Sequence, residues 1–214
     1  NYKVYLSQRF TETYMENVSV NPCFVFSDLV PIAKKEVGDD SREGEFWALK
    51  RAAMDISFFD EASAVKMALA LTKYKGFELT FGRLTISQFK LLPYKCSKTG
   101  YILSPVVCRK DNGSIDYIDF PADFSESIRQ NLIEKYKNLF GTYPNDDRFI
   151  LIIRNPKKII LANESFGYKG PFEIVGSDEL LKLAYGVGIG KDNTQGYGMI
   201  SSELYFWKRQ KAKS

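Results

Sequence analysis

The chain has 214 residues, of which 44% are hydrophobic, 14% aromatic and 26% charged. That composition argues for a globular protein rather than a disordered one, and no run approaches the roughly 18 apolar residues of a membrane span. The net charge of +4 sits in the tail, where Lys208, Arg209, Lys211 and Lys213 fall within the last seven residues, so any polyanion site has to be a local patch or that tail.

The chain opens on Asn1-Tyr2-Lys3-Val4-Tyr5 rather than on Met. This start does not read as a signal peptide, and it is expected to lie inside a longer natural chain. Residues 1–18 offer either a strand at 3–7 or the tail of a helix. From Phe24 a strand runs to about Ile32, and a polar turn at 38–44 leads to a long strand over 46–59. Asp60 caps a helix over 62–75 that Gly76 stops. Residues 77–86 then alternate into a last strand ending near Pro93. The order is strand–strand–helix–strand. A split βαβ unit needs a strand and a helix before this, about 25–30 residues with their loops, but only 23 precede Phe24. Part of that opening is therefore expected before Asn1 or to be skipped.

The second half reads more clearly. Residues 103–109 form a β-branched run, and Asp111-Asn112-Gly113 is a hairpin signal. Residues 115–120 alternate as a half-buried strand. Phe124, Ile128, Leu132 and Tyr136 make one helical stripe, with Asp123 as N-cap and Gly141 closing the helix. Residues 149–153 are a continuous apolar run, which predicts a buried central strand. Asn155-Pro156 turns the chain into residues 157–161. Another strand covers 172–175, Ser177-Asp178 caps a helix ending at Gly186, and 197–207 read as the last strand. Strand–helix–strand–strand–helix–strand is the ferredoxin-like pattern. The predicted fold is α+β, with two tandem ferredoxin-like domains over 1–96 and 97–214, antiparallel sheets with helices on one face, and a first domain incomplete at its N-terminus.

Cys23, Cys96 and Cys108 are scattered, odd in number and without metal-ligand spacing, which suits a reducing, cytoplasmic setting without disulfides. The sequence contains no His. That removes Ser-His-Asp and Cys-His nucleophiles and the histidine-based metal motifs. Neither a metal nor a cofactor is expected.

The sharpest feature is a glycine-rich loop. Gly186, Gly188, Gly190, Gly196 and Gly198 fall within thirteen residues, with Lys191 among them; average usage predicts about one glycine there. Such a loop can turn tightly and set its N–H groups against phosphate. A Walker A loop fails because Tyr185 stands where its first Gly belongs and Asp192 follows Lys191. A dinucleotide fingerprint fails because this loop follows a helix and precedes a last strand. A helix C-cap explains Gly186 only. Arg154, Lys157 and Lys158 cluster on a turn, and Tyr168, Tyr197 and Trp207 are candidates to stack on bases.

These residues resemble a known family. The loop between the last helix and last strand, the segment from Asp178 to Met199, Leu103-Ser104-Pro105 and residues 22–27 together resemble the CRISPR repeat-RNA endoribonucleases (Cas-six) of the RAMP superfamily. The resemblance implies repeat RNA or precursor CRISPR RNA as partner, held along a cleft and a basic face. It also implies metal-independent cleavage, in which the ribose 2′-OH attacks the adjacent phosphate and leaves a 2′,3′-cyclic phosphate. Many members use a first-domain histidine; here Ser7 stands at that place. Tyr5, Ser7, Arg9 and Lys34 are the catalytic candidates, with Lys3, Tyr14 and Lys35 as further substitutes. Gly186, Gly188, Gly190, Lys191, Gly196, Gly198, Arg154, Lys157 and Lys158 are the RNA-binding candidates. A non-catalytic repeat-RNA binder and a structural RAMP subunit of a CRISPR effector complex are the alternatives, and a homodimer is a further expectation.

Overall fold

The computed structural model describes residues 24–28, 30–34, 49–73, 76–79, 82–85, 90–92, 95–110, 113–161 and 165–202. In the first half these are β1 (Phe24–Phe26), β2 (Val30–Lys34), β3 (Leu49–Ala53), β4 (Ile56–Phe58), α1 (Glu61–Lys73), β5 (Gly76–Leu79) and β6 (Gly82–Thr85). In the second they are β7 (Thr99–Ile102), β8 (Arg109–Lys110), β9 (Gly113–Ser114), α2 (Pro121–Phe140), β10 (Phe149–Ile153), β11 (Lys157–Ile160), β12 (Phe166–Lys169), β13 (Pro171–Gly176), α3 (Asp178–Val187) and β14 (Ile200–Ser201). No helix among the described residues is long and apolar enough to cross a membrane.

The second half builds one antiparallel sheet in the order β10-β13-β7-β14. Counted along the chain, that is the second, third, first and fourth strand, with α2 and α3 as the two crossovers: the ferredoxin-like arrangement. The register sets Phe149, Leu151 and Ile153 beside Gly176, Ile174 and Phe172. Their side chains share one face with Ile102 and Ile200, and the helices cover it with Phe124, Ile128 and Leu132 from α2 and Leu180, Leu183 and Ala184 from α3. The fold is α+β with tandem ferredoxin-like units, and the core of the second lies between this sheet face and its two helices.

Several expectations need correction here. The apolar run 149–153 is not a central strand: β10 pairs only with β13 among the described residues. It is apolar throughout because the outer face of this sheet edge also carries Ile150 and Val175, both about half exposed. The opening strand is β7 rather than residues 103–109. Val106, Val107 and Cys108 are buried as crossing chain, and Val106 forms an isolated bridge to Tyr168. Residues 115–120 form a turn into α2, not a strand; Asp116 accepts the N–H of Ile118 at 2.8 Å and, through its carbonyl, that of Phe120 at 3.0 Å. Asp123 is not the N-cap. Phe120 holds that position with no side-chain bond, and Pro121 starts the helix, its fixed φ and missing N–H suiting the first turn. α2 ends as expected at Gly141, φ 72°.

In the first half, β1 pairs with β4 and β2 with β3, so the two long strands expected from sequence form one hairpin with a break. At the break the Ser27 N–H donates to the Asp55 carbonyl and the Asp55 N–H to Ser27 Oγ, both at 2.9 Å. Asp60 caps α1, accepting the Ser63 N–H at 2.7 Å. Residues 77–86 are not one strand but the hairpin β5–β6, whose register sets Leu79 opposite Gly82. The alternating pattern runs through that reversal without a Pro, Asn or Asp to mark it. The expected strand or helix at 1–18, the polar turn at 38–44 and residues 203–207 of the last strand lie outside the described residues.

Candidate nucleic-acid interface

Ser177 starts α3 by accepting the Leu180 N–H on its hydroxyl at 3.1 Å, and Gly188 ends it with φ 81°. The loop that follows is shaped by close approaches. A Cβ on Gly186 would come within 2.7 Å of the Phe59 Cα, where the first unit meets the second. Gly188 and Gly198 both have positive φ, and a Cβ on either would lie 2.7 Å from the side-chain nitrogen of Asn193. Gly190 backs onto the Val107 carbonyl and Gly196 onto the ring of Phe26. These are glycines because the backbone has no room for anything else.

The loop amides are largely committed inside the protein. Gly188 N–H donates to Ala184 O, Ile189 to Gly198 O, Lys191 to Val107 O, Gly196 to Asn193 O and Gly198 to Pro105 O, all at 2.9 Å. Met199 N–H donates to the Ser104 hydroxyl at 2.9 Å, and that hydroxyl donates to the Phe26 carbonyl of β1 at 3.2 Å. A phosphate at this loop therefore meets the cations on its rim rather than a cradle made of these N–H groups. Lys191 is exposed there, with its Nζ unpaired among the described residues. Arg109 pairs with Asp192 at 3.2 Å.

Sequence reasoning missed Lys135. From α2 its ammonium donates to Gly188 O at 3.1 Å, Gly190 O at 3.0 Å and Asn193 Oδ1 at 2.5 Å. The available signal was its spacing from Ile128 and Asn131, which places a cation on a stripe that is otherwise buried.

The β11–β12 hairpin brings Lys157, Lys158 and Lys169 together, with Lys157 opposite Lys169. Their surroundings differ. Lys158 pairs with Asp116 at 2.5 Å and lies 3.9 Å from the centre of the Phe166 ring. Lys169 reaches Asp28 of the first unit at 2.9 Å and the Leu103 carbonyl at 2.8 Å. Arg154 pairs with Glu173 and Arg148 with Asp146, both at 2.7 Å. Lys157 is exposed, with its Nζ unpaired among the described residues.

Asp116 is the hub beneath this hairpin. Its bonds from Lys158 and from the Tyr168 hydroxyl hold its carboxyl down at about 2. Burial and the same Asp116 bond push the Tyr168 hydroxyl up. Burial likewise pushes Tyr185, whose hydroxyl donates to the Ser97 carbonyl at 2.9 Å, up to about 12.

The stacking candidates are corrected. Tyr168 is 0% exposed and packs edge to face on Phe124 and Phe166, and Tyr197 is 5% exposed. Both are core residues that no base reaches. Trp207 lies outside the described residues, as do Tyr5, Ser7 and Arg9 and the further substitutes Lys3, Tyr14 and Lys35. Lys34 ends β2, in register with Leu49. Among the described residues no cluster of Cys, Asp and Glu has the makings of a metal site.

Residues 93–202 match the family described as CRISPR associated protein Cas6, C-terminal. A curated relative, the CRISPR-associated endoribonuclease Cas6 of Pyrococcus furiosus, is 29% identical over 130 residues, which is 56% of this chain and 49% of that protein. The chain thus spans about half the length of the curated relative it matches. Three solved structures share the fold. A Cas6-related protein from Pyrococcus furiosus superposes with a TM-score of 0.74 at 17% identity, covering 95% of this chain and 91% of its own. A CRISPR associated protein Cas6 gives 0.73 at 18%, covering 95% and 92%. A RAMP protein described as binding different RNA substrates gives 0.72 at 19%, covering 94% and 91%. The family match takes in β7, α2, α3, the glycine-rich loop and β14, the parts that build the second unit and its basic rim, and on that match the chain belongs to the Cas6 family of CRISPR associated proteins.

Proposed function

We propose that this chain binds CRISPR repeat RNA and processes precursor CRISPR RNA by metal-independent cleavage, its domains being residues 1–96 and 97–214. The observation that carries the reading is the glycine-rich loop. It lies inside the family match, is locked by hydrogen bonds within the loop and to Ala184, Pro105 and Val107, and holds at its exposed rim Lys191, whose Nζ is unpaired among the described residues. Lys157 on the β11–β12 hairpin adds a second cation that is unpaired among the described residues, and phosphate contacts of this kind supply a large share of the affinity of nucleic-acid-binding proteins.

In the cleavage step the ribose 2′-OH attacks the adjacent phosphate, the 5′-oxygen leaves, and a 2′,3′-cyclic phosphate remains. The step needs a base for the 2′ proton, an acid for the 5′-oxygen and cations for the phosphorane charge. With no His in the sequence, Tyr5, Ser7, Arg9 and Lys34 are the groups we assign to it. Tyr and Lys titrate near 10, so cleavage is slow at neutral pH and climbs as pH rises.

The test is incubation with repeat RNA in EDTA, alongside an RNA carrying a 2′-deoxy ribose at the cut site. The reading expects cleavage of the first and none of the second. Loss of cleavage in EDTA with return on adding magnesium overturns the mechanism. The absence of histidine favours one second reading, a non-catalytic member that holds repeat RNA; RNA bound tightly but intact after long incubation at saturating protein establishes it. Retention of RNA only beside other CRISPR proteins would point to an effector subunit.

A further inference from the structure

We propose that Lys135 is a positioning residue for RNA binding, an internal cation that holds the 188–198 loop in the shape that presents Lys191 to phosphate. The inference rests on the repeat-RNA reading above.

An ammonium has three N–H donors. Three loop oxygens receive bonds from Lys135: the carbonyls of Gly188 and Gly190, and Oδ1 of Asn193. With Oδ1 taken by Lys135, the Asn193 amide nitrogen is turned to donate to Ile189 O at 3.1 Å and Tyr197 O at 2.9 Å, one on each limb of the loop. That nitrogen is also what lies between Gly188 and Gly198. Helix, loop centre and both limbs therefore form one hydrogen-bonded unit with a positive charge in the middle.

The loop needs such a staple because four of its glycines, 188, 190, 196 and 198, have positive φ. Glycine is the residue that loses most conformational freedom on ordering. Lys191 follows Gly190 directly, and its exposed side chain is placed by the backbone that Lys135 grips. With its donors given to the loop, Lys135 has none left for RNA, so it acts on RNA through Lys191 rather than by touching phosphate. Loosening the loop costs affinity by undoing this preorganisation.

The two roles separate by salt dependence. A residue that contacts phosphate contributes to the slope of log affinity against log salt, and one that positions another does not. Repeat-RNA affinity is measured across a salt series for wild type, Lys135→Ala and Lys191→Ala. Lys135→Ala is expected to bind roughly tenfold more weakly at every salt concentration with an unchanged slope, whereas Lys191→Ala flattens the slope by about one. Ethylammonium, small enough for the vacated oxygen cage, is expected to restore binding by Lys135→Ala, and tetramethylammonium at equal ionic strength is not. Lys135→Met, which keeps the stem of the side chain, replaces the Ala variant if that one unfolds at the assay temperature. Amide exchange at Ile189 and Lys191 reports the loop itself and is expected to speed up in either variant. Wild-type affinity in a folded variant, or a slope change equal to that of Lys191→Ala, overturns the proposal. Wild-type protein that holds no repeat RNA overturns the RNA reading and this role with it, and that result is seen before any variant is made.

Discussion

Lys158 Nζ lies 2.5 Å from Asp116 Oδ2, and the other oxygen of the same carboxylate accepts the Tyr168 hydroxyl and the Ile118 N–H. One carboxylate thus ties the β11–β12 hairpin to the turn that starts α2. Its ionised form is the bonded one, which is why its pKa is held down at about 2.

The pH dependence follows from the sign of that shift. A carboxyl whose folded pKa is depressed adds stability above its unfolded value, near 4, and the contribution is lost as pH falls toward 2. The pair is partly exposed, with 37% of the Lys158 side chain and 17% of Asp116 accessible, so the contribution is about 1–2 kcal/mol after screening. Acid unfolding followed by tryptophan fluorescence should show Asp116→Asn less stable than wild type at pH 7, with the gap closing below about pH 3. A gap that stays constant down to pH 2 would contradict this role.

Alkali acts through the tyrosines. Burial raises Tyr185 from 10.0 to about 12 and raises Tyr168 as well. A raised group adds stability that is complete below its unfolded pKa and lost as pH rises through the folded one. Thermal midpoints are therefore expected to fall between about pH 10 and 12, and Tyr185→Phe should flatten part of that fall. Unchanged curvature in the variant would remove Tyr185 from the explanation.

Lys157 and Lys158 are neighbours in sequence with different work. Lys157→Ala is expected to lower the salt slope of repeat-RNA binding by about one with little change in stability. Lys158→Ala should instead cost about 1 kcal/mol of stability, because Asp116 loses its cation, and should move the slope less. The reverse pattern would show that Asp116 does not hold Lys158 in solution.

The glycines can be ranked. Gly141 has φ 72° and open space around a would-be Cβ, so Gly141→Ala should cost only the left-handed strain, about 1–2 kcal/mol. Gly198 has φ 77°, and its Cβ would drive into the Ile189 carbonyl and the Asn193 amide. Gly198→Ala adds steric displacement and broken hydrogen bonds to the same strain, for a cost above about 3 kcal/mol. Chemical denaturation of the two variants checks the order; equal losses would mean that the loop yields more easily than its packing suggests.

Lys169 and Asp28 join the two units at 2.9 Å, with about a quarter of each side chain exposed. A double-mutant cycle on Asp28→Ala and Lys169→Ala should give a coupling of about 1 kcal/mol. A coupling near zero would shift the hold between the units to the packing of Phe26 and Phe59 on the loop glycines and to the bonds from Ser104 to Phe26 and from Ser57 to Tyr185.

The sequence by itself determined the elements whose signals are local. The α2 stripe from Phe124 to Tyr136, the Gly141 stop, the Ser177 and Asp60 caps, and the helix–loop–strand order around Gly186–Gly198 all follow from period, capping and glycine content, because each rests on atoms a few residues apart. Only the tertiary structure decided what depends on distant partners. It paired β10 with β13 alone among the described residues, turned 115–120 into a turn around Asp116, and put Tyr168 and Tyr197 in the core rather than on a base-stacking face. It also gave most of the hairpin and rim cations their carboxylates, leaving Lys157 and Lys191 unpaired among the described residues. Above all, it gave the glycine-rich loop its meaning. A run of glycines states that the backbone is close to something, but not to what; Phe26, Phe59, Val107 and Asn193 fill that space, and three of the four are brought there from 80 or more residues away by tertiary packing and hydrogen bonds.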